Sequence, residues 1–179
     1  RGGSILDGLQ SQVDKQVRDP ALNRRFARVL NTDVAQLRTY QGQPYLPTPC
    51  LPVDADGTER SVDGAVYRAL SSDTRAGNGD EVQAVVLLER REREAGDYVR
   101  NGPLGAGPFT TQYGAYRQVC TVTVIDIARG VRIDAGELVS EAPPPTVKHE
   151  YELQTRVKPE AIVSLLTSLP GEGDGDGHR

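Results

Sequence analysis

Two cysteines, Cys50 and Cys120, and two histidines, His149 and His178, are the chain's whole stock of thiol and imidazole chemistry. A cysteine nucleophile needs a base within hydrogen-bond reach and a third group to orient that base. His178 stands in a tail of alternating glycines and acids, and His149 follows a proline run with Lys148 and Glu150 beside it. Neither position argues for a Cys–His pair. No G-x-S-x-G stretch is present, so the serine-hydrolase elbow has no counterpart. The histidines and cysteines are not clustered, which disfavours a transition-metal site. Cys50 and Cys120 can instead close one disulfide between a proline-rich loop and a strand, or stand as two buried thiols. A disulfide closing a loop of this length stabilises by roughly 2–4 kcal/mol.

Asp54-Ala55-Asp56-Gly57-Thr58-Glu59 resembles part of a calcium loop. The complete loop, however, asks for an oxygen ligand where Pro52 stands and a bidentate Glu where Asp63 stands. A surface turn accounts for the stretch as well. Gly102 to Pro108 is rich in glycine but leads into a strand and lacks a following Lys-Ser or Lys-Thr, so it is neither a P-loop nor a dinucleotide turn. No catalytic residue, metal ligand or cofactor site is assigned.

Charge offers more. The chain has 179 residues, 21 Lys plus Arg, 25 Asp plus Glu and a net charge of −4, which argues against a long-range hold on nucleic acid. Arginine supplies nearly all the positive charge, with Lys15, Lys148 and Lys158 the exceptions. Arg24, Arg25 and Arg28 fall on one flank of a helix, where they can meet an acidic partner or simply face solvent. The run Glu89-Arg90-Arg91-Glu92-Arg93-Glu94 mixes signs. It suits a solvated, projecting hairpin end with cross-strand ion pairs, and its sharper alternative is a docking edge offering Arg90, Arg91 and Arg93.

Residues 1–79 read as a helical N-terminal segment followed by a wrapped loop. Ile5, Leu6, Leu9, Val13 and Val17 lie on one helical stripe, and Asp19-Pro20 opens a second with Leu22, Phe26, Val29 and Leu30. Pro44, Pro47, Pro49 and Pro52 then exclude helix and point to an ordered loop. Asp63 caps a short helix with Val66, Tyr67 and Leu70 inward. Residues 80–170 read as an α+β sheet domain. A strand runs from Val82 to Glu89, a turn falls at Glu94-Ala95-Gly96-Asp97, and Tyr98-Val99 starts the return. Tyr113 to Ile127 forms an interior strand, since both its faces are apolar near the centre. Arg129-Gly130 turns into Val131 to Val139, and a final helix opens at Pro159 with Leu165, Leu166 and Leu169 inward. Residues 171–179 read as a disordered acidic tail. No apolar run is long enough to cross a membrane. A chain opening on Arg1 with no methionine reads as a processed or truncated piece.

The succession Ala115-Tyr116-Arg117-x-Val119-Cys120-x-Val122-x-Val124-Ile125-Asp126, then Pro143-Pro144, then Lys158-Pro159-Glu160-x-Ile162-Val163-x-Leu165-Leu166 resembles a poorly characterised bacterial domain. The likeness covers about residues 80–170. Members that look like this often sit behind a membrane anchor and carry no known activity, so the resemblance implies an architecture and an extracytoplasmic or membrane-associated setting.

The expected fold is therefore α+β: an antiparallel sheet of about four strands, with N-terminal and C-terminal helices packed on it. The C-terminal helix should cover the face carrying Val122 and Val124, and the proline loop or N-terminal helices the other. The expected function is a non-enzymatic interaction or assembly module of a bacterial, envelope-associated protein, with a protein partner, no nucleic acid and no cofactor. Two alternatives stand beside it: a hydrolase-type enzyme using carboxylates, and a structural subunit of a larger particle. Two inward carboxylates in a pocket would favour the enzyme, and a flat apolar patch of a few hundred Å² the module.

Overall fold

The computed structural model describes residues 37–55, 61–77, 81–100, 111–144 and 153–171. They form strands β1 (Arg38–Thr39), β2 (Cys50–Asp54), β3 (Ser61–Val62), β4 (Ala84–Arg100), β5 (Thr111–Asp126), β6 (Val131–Val139) and β7 (Gln154–Thr155). Two short helices, α1 (Gly64–Ala69) and α2 (Pro159–Ser168), complete the described elements. All seven strands join one sheet in the order β1-β6-β5-β4-β2-β3, with β7 set beside β5.

This corrects the expected four-stranded antiparallel sheet with flanking helices. The sheet is mixed, since β1 with β6, β2 with β4 and β5 with β7 run parallel. β1, β2, β3 and β7 were not expected, and the longest of them is β2, which lies inside the proline-rich stretch. Prolines there exclude helix but leave extended backbone available. Pro52 is tolerated because its carbonyl accepts from Asp63 N on the side away from β4. Its missing donor therefore falls on that side too, and the β2–β4 ladder is undisturbed. Residues 37–77 thus add β1, β2, β3 and α1 to the same sheet as the C-terminal half.

Strand alternation sorts the core into two faces. Ala84, Val86 and Leu88 of β4, Val122 and Val124 of β5, and Val131 and Ile133 of β6 share one face with Ile162 and Leu166 of α2. The C-terminal helix therefore covers the expected face, and Pro159 stands in its first turn as the sequence indicated. Tyr45 and Leu46 of the proline loop pack on this face as well, rather than on the opposite one. The Leu46 amide donates to the Pro170 carbonyl, which holds the loop against the end of α2. Val85, Leu87 and Ile125 turn to the second face and meet Leu51, Val53, Tyr67, Ala76 and Val82.

β4 also departs from expectation at its far end. The turn foreseen at Glu94 to Asp97 is a β-bulge between Glu94 and Gly96, and β4 continues to Arg100. Gly96 takes φ 116°, which an L side chain resists, and so absorbs the extra residue without ending the strand. The hairpin turn at Gly130, with φ 62°, lies where the sequence placed it.

The cysteines form no disulfide. Cys50 lies opposite Ala84 and Cys120 opposite Arg90. Those positions are separated along β4 by roughly 20 Å, whereas a bridge needs Cα atoms within about 7 Å. Both thiols sit in the apolar core, and burial pushes the Cys50 pKa up to about 12. Among the described residues no helix is long and apolar enough to cross a membrane. The expected N-terminal helices, the residues Arg24, Arg25 and Arg28 on them, and residues 172–179 lie outside the described residues.

Candidate interaction site on the β4–β5 arm

β4 and β5 pair continuously from Ala84 with Asp126 to Arg100 with Thr111. β2 accompanies β4 only as far as Leu88, while β6 and β7 accompany β5 to Val119 and then to Tyr116. Beyond Leu88 the hairpin therefore forms an arm whose β4 side is an open edge, and only past Glu94 and Tyr116 does it run without another described strand beside it. Along it, side chains pass at once from buried to exposed: Leu88 is 0% exposed, and Glu89 and Arg91 to Gly96 are all open to solvent.

Two braces fix the root. On the β2 side, Arg90 Nη2 donates to Asp63 Oδ2 at 2.7 Å, and Arg90 Nη1 lies 4.0 Å from Asp54 Oδ1. Asp63 also caps α1, its Oδ1 accepting from the Val66 amide. Burial works against the Arg90 charge, but the hydrogen bond and charge of Asp63 outweigh it and hold the guanidinium pKa above its ordinary value. On the β6 side, Arg117 Nε donates to the Ser140 carbonyl at 2.7 Å, and the Gln118 amide donates to Ser140 Oγ at 2.9 Å. The Ser140 and Thr155 hydroxyls lie 2.7 Å apart, and the Val157 amide donates to Gln118 Oε1 at 3.0 Å. That polar knot seats β7 against β5.

The arginines singled out by sequence therefore differ in role. Arg90 is part of the fold, half-buried and bound to Asp63. Arg91 reaches over β5 to Glu137 of β6 at 2.8 Å and donates to Thr121 Oγ1 at 3.2 Å. That pair is exposed, so it contributes little to stability. Arg93 is exposed and faces Arg117 directly across the ladder. Among the described side chains, the cross-strand ion pairs expected along this hairpin are not formed between β4 and β5. Glu89 faces Thr121, Glu92 faces Gln118 and Glu94 faces Tyr116. Sequence reasoning missed Asp63 and Arg117 as partners of the charged run. Only the true register, set by the bulge and not by a turn at Gly96, brings Arg117 opposite Arg93.

The two features that would have separated enzyme from module are both missing among the described residues. Asp126 is the only buried carboxylate there, and it is committed: its Oδ2 accepts from Tyr45 Oη at 2.5 Å and its Oδ1 from the Arg129 amide at 3.1 Å. The Arg129 guanidinium lies over the Tyr45 ring, 5.3 Å from its centroid. This arrangement latches the proline loop to the β5–β6 turn. Among the described residues, the only large apolar side chain exposed is Val139, at 37%. No group of three His, Cys, Asp or Glu is placed to hold a metal ion among the described residues. Asp54 of the calcium-like stretch lies in β2 beside Arg90, and residues 56–60 lie outside the described residues.

No protein-family model, curated protein or solved structure matches this chain.

Proposed function

We propose that the protein is a non-enzymatic interaction or assembly module that meets a protein partner through the β4–β5 arm. The observation that carries this reading is the arm's charge: Glu89, Glu92, Arg93 and Glu94 project from a strand braced at its root, and β5 offers them no opposite charge. A rigid root with uncommitted charges beyond it suits recognition, because little ordering entropy remains to be lost on contact. The commitment of both Asp126 oxygens to hydrogen bonds within the fold favours this reading over carboxylate-based hydrolysis. The bacterial, envelope-associated setting belongs to the same proposal and rests on the sequence resemblance alone.

Site-specific photo-crosslinking in cells of the source organism tests it. A photoreactive residue at Glu92 should give an adduct of discrete mass. The same residue at Ser71, exposed on the body, should not. No adduct from Glu92, or the same adduct from both positions, would remove the arm as the contact surface.

A further inference from the structure

We propose that the window Arg91 to Glu94 of β4 takes an extended polypeptide segment as an added strand, and that the segment it fits alternates acidic and basic residues. The inference rests on the arm being the contact surface and specifies what the arm reads.

The backbone supplies the template. The Ala55 amide donates to the Leu88 carbonyl, so even-numbered residues of β4 aim their N–H and C=O groups at the β2 side. β2 is paired with β4 only up to Leu88, and no other described strand takes its place on that side of Arg91 to Glu94. Glu92, and Glu94 where the bulge begins, therefore present backbone donors and acceptors outward. A strand laid there would continue the sheet at the usual spacing of about 4.8 Å. The bulge between Glu94 and Gly96 ends the regular template, which limits the window to these residues.

The side chains supply the selectivity. Arg91 and Arg93 point to one face of the arm, and Glu92 and Glu94 to the other. On the β5 side Arg93 meets Arg117, a like charge, and Glu92 and Glu94 meet Gln118 and Tyr116. Arg91 already has Glu137 of β6, so the open side is the one left, among the described residues, to complement Glu92, Arg93 and Glu94. Directly opposite residues of neighbouring strands share a face, so an added segment would set acids beside Arg91 and Arg93, and bases beside Glu92 and Glu94. An acid beside Arg93 would also offset its repulsion with Arg117. An apolar strand would strand four charges against it, so the same pattern that accepts this partner rejects indiscriminate edge pairing.

A fluorescent octapeptide of strictly alternating Glu and Lys is the probe, because alternation lets it find the register in either strand direction. A peptide of the same composition with the four Glu and four Lys in blocks is the control. At low ionic strength, anisotropy titration should show saturable binding of the alternating peptide and binding weaker by about tenfold or more for the block peptide. Backbone amide shifts in the full chain should move at Arg91 to Glu94 and stay still at Ala84 to Leu88. The double substitution Arg91→Glu with Arg93→Glu should cost about tenfold or more in affinity while leaving the circular-dichroism melt essentially unchanged, since both side chains are exposed. Equal binding of the two peptides, or no amide shifts in the window, would overturn the inference. If Glu92 still cross-links to a discrete partner while the alternating peptide fails, strand addition falls and the interaction reading stands. If both fail, both fall.

Discussion

From Ala84 to Leu88, β4 has a neighbour on each side and is buried on both faces; from Glu89 to Glu94 the same strand keeps β5, loses β2, and turns its side chains, Arg90 excepted, to water. The two halves are held by different physics. The first is fixed by apolar burial, at roughly 1.5–3 kcal/mol for each large side chain removed from water. The second is fixed by its ladder with β5 and by the two braces at its root, and apart from Arg90 its own side chains add almost nothing. Sequence changes in the first half are felt as stability, and those in the second as contacts with other molecules.

The sharpest way to break this contrast is to cut the same strand in both halves. Leu88→Ala removes a side chain that is 0% exposed and packs among Val66, Val86 and Val122. It should cost about 2–5 kcal/mol in urea unfolding. Glu92→Ala should stay within about 0.5 kcal/mol of the parent. A loss at Glu92 that rivals the loss at Leu88 would mean the arm is packed against something that stabilises it.

Asp63→Ala attacks the brace between the halves. It removes the α1 cap and takes from the half-buried Arg90 its nearer carboxylate, Asp54 lying farther off. The expected cost is about 2 kcal/mol, from the lost cap and the lost charged hydrogen bond together. Amide exchange should quicken at Glu89 to Glu92 more than at Val122 to Val124. Uniform quickening would show that Asp63 serves only the body.

Cys50 tests the buried half by pH. Its pKa rises from 9.0 to about 12 on folding, because burial penalises the thiolate. The folded state then holds the proton that the unfolded chain releases. The stability is complete below pH 9 and is lost as pH climbs toward 12, by up to about 1.4 kcal/mol per unit. Tyr67, also raised by burial, titrates in the same direction. Cys50→Ala should therefore flatten, without abolishing, the fall of the urea midpoint above pH 9. An unchanged slope would place Cys50 in contact with water.

Much of the buried half was legible in the sequence, and little of the arm. Val122, Val124, Ile162 and Leu166 announce their faces by period, and Asp63 and Pro159 announce helix starts, because burial and capping act through residues close in the chain. β2 was hidden because Pro52 looks like a strand breaker until the carbonyl it presents to Asp63 shows which side its missing donor faces. The arm was foreshortened because Gly96 serves a turn and a bulge equally well. Choosing between them depends on which β5 residues pair across the ladder, a long-range fact. With the bulge, Arg93 meets Arg117; with a turn it would not.

That register yields the finest prediction. Arg93→Glu replaces a like-charge pair across the ladder by an opposite one. Cross-strand pairs of this kind shift stability by a few tenths of a kcal/mol. The variant should therefore raise the urea midpoint slightly at low salt, and the gain should vanish near 1 M salt, where screening shrinks to about 3 Å. The same substitution sets three acids in a row at Glu92 to Glu94, so it should weaken the alternating peptide while the fold gains. A side chain that the fold is better without, and binding is worse without, is one kept for contact. No gain at any salt would mean that Arg117, turned toward the Ser140 carbonyl, does not feel Arg93, and the case for an acid beside Arg93 would then rest on Arg93's own exposure alone.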